Sequence, residues 1–297
     1  MQIDLTRGGI TRPMLCFAAP MIAGNLLQQC YNIADTLIVG RALGPSALAS
    51  VGFSFTLMTF LTSVLLGLCM GSGALWSMLH GARREEELKR CLFLSFLFIG
   101  AVAVVLNVGV LLLLEPVMTL LRIPAEAWDD THAYLRVVLL GVCFTFLYNY
   151  FACLLRSVGN SAAPLVFLAL STLLNIGLDL WFVLGLGWGV AGAAGATVLA
   201  QGMSAAGIAL YCWRRVALLR LGREHCTFRR GELGRIIHYS LLTCVQQSVM
   251  NFGILMVQGL VNSFGVNVMA AFAAAVKIDA FAYLPVQDFG NAFSTFV

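Results

Sequence analysis

Four polar side chains, Asn25, Gln28, Asn32 and Asp35, fall within an arc of roughly 80° if Pro20 to Gly44 is helical. The surrounding residues are apolar enough to cross a bilayer, and Asp35 is the costly member. A charge at the membrane centre costs about 2.5–3.5 kcal/mol even on lenient insertion scales, so it should face a cavity or a partner. Two later segments carry similar stripes: Thr172, Asn175 and Asp179 on one, Thr197, Gln201 and Ser204 on the other. Together they offer carboxylate, amide and hydroxyl oxygens, the hard ligands that a small cation takes. Proton carriage is the other possibility, because burial disfavours the charged form of Asp35 or Asp179. Two carboxylates in one cavity would titrate as a pair. For the neutral residues the plainer reading has priority: intramembrane Asn, Gln, Ser and Thr often only bind neighbouring helices, at near 0.6 kcal/mol. For the two aspartates the rarity of buried charge reverses that priority.

These stripes need helices to hold them. The chain is 60% hydrophobic and 11% charged, more apolar surface than a soluble 297-residue fold can hide. At about twenty apolar residues per crossing, about eight spans are expected, near 14–40, 47–79, 91–115, 133–155, 164–185, 189–213, 236–262 and 267–297. The fold class is therefore all-α and polytopic. Fourteen of the 18 Lys and Arg fall on the side that includes the N-terminus, and the 115–130 loop opposite is acidic (Glu115, Glu126, Asp129, Asp130). That bias places the N-terminus in the cytoplasm. Pro20 removes a helical hydrogen bond and predicts a bend in the first span.

Other chemistry is poorly supported. The two lysines follow Leu88 and Val276, so no Walker A loop exists, and neither H-E-x-x-H nor G-x-S-x-G occurs. Gly187-x-Gly189-x-x-Gly192 matches a dinucleotide pattern, but it sits in a short turn between apolar segments without the acidic residue that pattern needs. The nine cysteines lack metal or disulfide spacing and read as small buried hydrophobes. No metal site is expected beyond a possible Na+ among the oxygen ligands, and nucleic acid is not an expected partner. Tyr31, Tyr148 and Trp181 read first as packing, and the run Arg83 to Glu87 as a solvated turn.

The chain also echoes itself. Leu43-Gly44-x-x-Ala47-Leu48-Ala49-Ser50 recurs as Phe264-Gly265-x-x-Val268-Met269-Ala270-Ala271, and Leu61 to Gly67 recurs weakly as Leu284 to Gly290. The expected organisation is a six-span N-lobe (1–213), a basic cytoplasmic linker (214–235), and the first two spans of a parallel-repeated C-lobe (236–297). A six-span repeat should finish, so roughly a third of the full protein is expected beyond Val297.

Several ordered motifs resemble the multidrug and toxic compound extrusion family in its prokaryotic DinF/NorM-like branch. They are Pro20 with Asp35; Val39-Gly40-Arg41-x-x-Gly44; Leu155-Arg156-Ser157-x-Gly159-Asn160; Asn175-x-x-x-Asp179; and Gly192-Ala193-Ala194-x-Ala196-Thr197 with Gln201. The resemblance implies a two-lobed secondary antiporter, not an enzyme, in the inner cell membrane. It would export diverse, often cationic, organic compounds against H+ or Na+ and need no other cofactor. It also implies a coupling site at Asp35, Asn175, Asp179 and Thr197, with Pro20 bending the first helix. Gln28, Tyr31, Asn32, Thr172 and Gln201 are cavity-lining or supporting candidates; the expected partners are substrate and lipid, with the protein a monomer. One departure stands out: the seventh span carries Gln246 and Gln247 where NorM-type members carry an acid. A lipid-linked-precursor flippase is the nearest alternative, and a non-transporting scaffold or gene fragment is another.

Overall fold

The computed structural model describes residues 11–219, 222, 225 and 227–296. Ten α-helices account for most of them, and no strand occurs among the described residues. They are α1 (Thr11–Leu43), α2 (Pro45–Gly81), α3 (Glu85–Leu112), α4 (Leu114–Leu120), α5 (Ala125–Leu139), α6 (Val142–Ser157), α7 (Ala162–Asp179), α8 (Gly189–Arg215), α9 (Arg230–Asn262) and α10 (Val266–Phe296). Among the described residues five helices have the length and apolarity to cross a membrane, and α5 with α6 makes a sixth span bent by 47°. α1 and α10 are the remaining long helices, so the expected helical runs are all present. α1 remains helical through Pro20.

Local chemistry sets the ends. Gly44 joins α1 to α2 at φ 90°, a conformation that disfavours any side chain, and Pro45 follows it where a missing N–H costs nothing. Gly265 joins α9 to α10 at φ 92°. The sequence echo between these segments is thus matched by the same turn. α3 opens on Glu85, Glu86 and Glu87, which suit the positive end of its dipole.

The expected external loop over 115–130 is largely helical. α4 occupies its start and α5 begins at Ala125, well before the expected span at 133. The reason is amphipathicity: Ala127, Thr131, Tyr134, Leu135 and Val138 are buried while Glu126 and Asp129 are exposed. Charge on the outer face hid the helix from a search for uniformly apolar runs. Ser46 and Ser50 of α2 donate to the carbonyls of Glu126 and Ala127, at 2.8 and 3.1 Å, and pin the start of α5. The bend after α5 falls at Gly141, where a Cβ would crowd Val198 and Gln201 of α8 at 3.1 and 3.3 Å.

α2 is the central post, packed against α9, α6, α5, α10 and α3. Its tightest seam is with α9. A Cβ at Gly71 would sit 2.6 Å from the Ser240 Cα, and one at Gly67 would sit 2.5 Å from the Cys244 Cα, so only glycine lets these backbones meet. Gly71→Ala is expected to destabilise the protein by about 1–3 kcal/mol, as overpacking does. Gly109→Ala, whose Cβ meets nothing within 4 Å, serves as control. Thermal unfolding in detergent measures both, and equal melting points would contradict the tight seam.

Candidate cation or proton site

Four helices converge on the two intramembrane aspartates: α1 brings Asp35, α7 brings Asn175 and Asp179, α8 brings Thr197, and α5 brings Tyr134. Hydroxyls from two serines fix the α7–α8 contact. Ser171 donates to the Ala200 carbonyl and Ser204 to the Phe167 carbonyl, each at 3.1 Å. Ser204 therefore serves packing, as the plainer reading of a lone polar residue has it. Gly24 brings α1 close to α7: a Cβ there would touch Leu165 and Leu168 at 3.4 and 3.5 Å.

Asp35 is 5% exposed and Asp179 is fully buried, and each lies in the field of the other. The Asn175 side chain is best satisfied with its nitrogen donating to Asp179 Oδ2 at 2.8 Å and its oxygen accepting the Thr197 backbone N–H at 3.1 Å. One amide thus ties the carboxylate of α7 to the backbone of α8. Asp179 Oδ1 has no hydrogen-bond partner among the described residues. Thr197 Oγ1 donates to the Ala193 carbonyl at 3.1 Å, and the buried Tyr134 hydroxyl meets the Thr197 side chain within the field of both aspartates.

Asp179 is also the last α-helical residue of its span. From Leu180 to Gly185 the chain winds as a π-helix, a widened turn common at functional sites. Gly187 and Gly189, at φ 66° and 61°, then reverse the chain into α8. A Cβ on Gly192 would fall 2.9 Å from Trp188 and 3.3 Å from Phe182. The three glycines of the apparent dinucleotide pattern thus serve the turn and its packing.

Of the sequence-predicted residues, Asp35, Asn175, Asp179 and Thr197 come together. Thr172 is buried one turn from Asn175. Asn32 is buried on α1 and donates to Gln29 at 3.3 Å. Gln201 accepts from Thr145 of α6 at 2.9 Å, one turn from Thr197, so it binds a neighbouring helix. Gln28 is exposed, two turns from Asp35. The side chain of Tyr31 lies outside the described residues. Gln247 is buried against Met70, and Gln246 is exposed. Tyr134 lies inside the expected span from 133 but is not singled out, because a lone tyrosine in an apolar run reads as packing.

Chemically, two buried carboxylates in each other's field, one with an open oxygen on Asp179, favour the uptake of a proton or a small cation. Asn175 faces Asp179 with its nitrogen, so ligating a cation through its oxygen requires the amide to turn over.

A family profile described as MatE matches residues 20–181. The chain is 26% identical to the probable multidrug resistance protein YpnP of Bacillus subtilis, over 97% of this chain and 64% of that one. It is 29% identical to the DNA damage-inducible protein F of Escherichia coli, over 93% of this chain and 62% of that one. A solved structure described as the outward-facing conformation of a multidrug resistance MATE family transporter of the MOP superfamily aligns with a TM-score of 0.88. It covers 100% of this chain and 66% of its own, at 24% identity. The chain thus spans under two thirds of the length of these relatives.

Asn175→Leu is expected to destabilise the protein by about 1–3 kcal/mol, because Asp179 Oδ2 loses its donor. Adding Asp179→Leu should recover part of that loss. A denaturation series on the two single variants and the double variant measures the coupling, and strict additivity would remove the bond from the account.

Proposed function

The chain belongs to the MatE family, and on that premise we propose that it works as a secondary antiporter. It would export organic, often cationic, compounds in exchange for H+ or Na+ and carry out no enzymatic chemistry. The names of the relatives support the substrate class. The observation that carries the reading is the buried pair Asp35 and Asp179, joined to α8 through Asn175.

The mechanism follows from where these groups sit. Asp35 is on α1, while Asn175, Asp179 and Thr197 are on α7 and α8, so a bound cation or proton changes the force between α1 and its neighbours. Neutralising the pair removes repulsion and draws α1 toward α7 and α8; release of the bound cation or proton restores the repulsion and frees α1. Pro20, on the same helix, leaves one backbone hydrogen bond unmade and eases bending. Alternating access then needs only that the cation and the substrate prefer different arrangements of α1.

In this reading residues 1–213 form a six-span lobe, 214–235 a cytoplasmic linker, and 236–297 the start of a second lobe. The protein lies in the inner membrane as a monomer with its N-terminus in the cytoplasm. The basic bias of the linker supports that orientation.

Asp35→Asn and Asp179→Asn in the full gene product are each expected to abolish gradient-driven dye export from membrane vesicles, with insertion and amount unchanged. Running the parent protein in sodium-free and sodium buffers separates proton from sodium coupling. Wild-type export by Asp35→Asn would overturn the mechanism.

A further inference from the structure

The cytoplasmic end of α3 presents Glu86, Glu87 and Arg90, and each is paired across the structure with a residue about 140 positions later. His225 Nε2 lies 2.6 Å from Glu86 Oε2. Arg90 Nε donates to Glu232 Oε1 at 2.9 Å, and Arg235 Nη1 donates to Glu87 Oε1 at 2.5 Å. The partners are complementary: α3 supplies acid, acid and base in Glu86, Glu87 and Arg90, and the other side answers with an imidazole, a base and an acid in His225, Arg235 and Glu232. Sliding α9 along α3 by one turn would set like charges opposite each other, so the pairs specify register.

Glu86 and Arg235 are exposed at 65% and 43%, but their partners and the Arg90–Glu232 pair are withdrawn from solvent. The side chains of Glu87 and Glu232 are only 12% and 11% exposed, and that of His225 is 4% exposed. His225 Nδ1 accepts the Gly222 backbone N–H at 2.9 Å, so its proton sits on Nε2 and points at Glu86. The run Arg83 to Glu87, expected to be a solvated turn, is thus half built into a contact. Arg84 at 2.6 Å from Glu87, and Lys89 at 3.2 Å from Glu86, brace it from within.

Directly below lies the tightest backbone seam, Gly71 and Gly67 of α2 against Ser240 and Cys244 of α9, with Ser72 and Ser240 hydroxyls 2.8 Å apart. The other end of α9 is held differently. There Asn262 donates to the Leu121 carbonyl at 2.9 Å and Gln258 donates to Asn262 at 2.8 Å, all neutral groups. One end of the same helix is thus fastened by charge and the other by amides.

We propose that the pairs Glu86–His225, Arg90–Glu232 and Glu87–Arg235 form an ionic latch that closes the cytoplasmic ends of α3 and α9 and must break before that face can open. The proposal rests on the alternating-access reading above. Glu232 suits a contact made to release: its Oε2 makes no hydrogen bond among the described residues, so the carboxylate is only half satisfied. Such a partly desolvated pair stabilises the closed state modestly, yet losing one partner is costly. The amide cluster at the opposite end has no comparable sensitivity to charge or salt.

The test uses the full gene product in lipid nanodiscs, with spin labels at the exposed positions Arg83→Cys and His238→Cys and the exposed native cysteines replaced. Glu232→Arg sets like charge against Arg90 and is expected to raise the ratio of long to short label distances about fivefold. Adding Arg90→Glu restores opposite charges and should return the distribution to that of the parent. An unchanged distribution in Glu232→Arg, or no return in the swapped pair, overturns the latch. Dye export by the parent protein is measured separately. A distance shift that reverses on swapping, in a protein without export, keeps the latch and removes the transporter reading.

Discussion

Two carboxylates in an apolar interior are the constraint on which the rest of this fold depends. Asp35 and Asp179 could each be replaced by an apolar residue with a gain in solvation, because charge inside a membrane is expensive. Neighbouring helices surround them with polar groups that offset part of that cost. Asn175 spends its amide on one carboxylate and one backbone N–H. Tyr134 and Thr197 close the site from α5 and α8. The small side chains of α8, Ala193, Ala194 and Ala196, are fully buried and let that helix approach closely enough to do so.

That arrangement explains the irregularities around it. The π-helical turn begins at the residue after Asp179, and the α5–α6 bend falls at Gly141, whose Cβ would crowd Gln201 of α8. A regular helix in either place would shift a site residue around its axis, since one residue of offset turns a side chain by roughly 100°. The deviations therefore sit where orientation toward the aspartates is decided.

How much of this was legible in the sequence follows from the range of each interaction. Asp35, Asn175, Asp179 and Thr197 were readable because helical periodicity and the cost of charge are local properties of apolar segments. Their convergence was implied by the family resemblance rather than by spacing. The start of α5 was not readable: the acids at 126, 129 and 130 made it look like a loop, and only the burial of Ala127, Thr131 and Leu135 shows the apolar face. Tyr134, within the expected span, had no pattern to separate it from packing aromatics. Gln201 and Ser204 carried the right period but bind Thr145 and the Phe167 carbonyl, partners that no local pattern reveals. Glu86 and His225 stand 139 positions apart, and a charge run gives no sign of what will dock on it.

α9 shows how the two ends of the molecule can differ while sharing one helix. Glycines 67 and 71 bring its N-terminal half into backbone contact with α2, whereas farther along the tilted rings of Phe60 and Phe252 meet at 5.7 Å and side chains fill the gap. A seam of backbone against glycine has little compliance, because no side chain can rotate to absorb a shift. A seam of aromatic and amide side chains can change rotamers in place. Any separation of α2 from α9 should therefore be more abrupt at the glycine end than at the other. A rigid seam is also where charge pairs act most sharply: once the backbones part, water enters and screens every pair together. In the proposed latch the small residues and the ion pairs would act as one device, the first setting how abruptly the face opens and the second how strongly it is held shut.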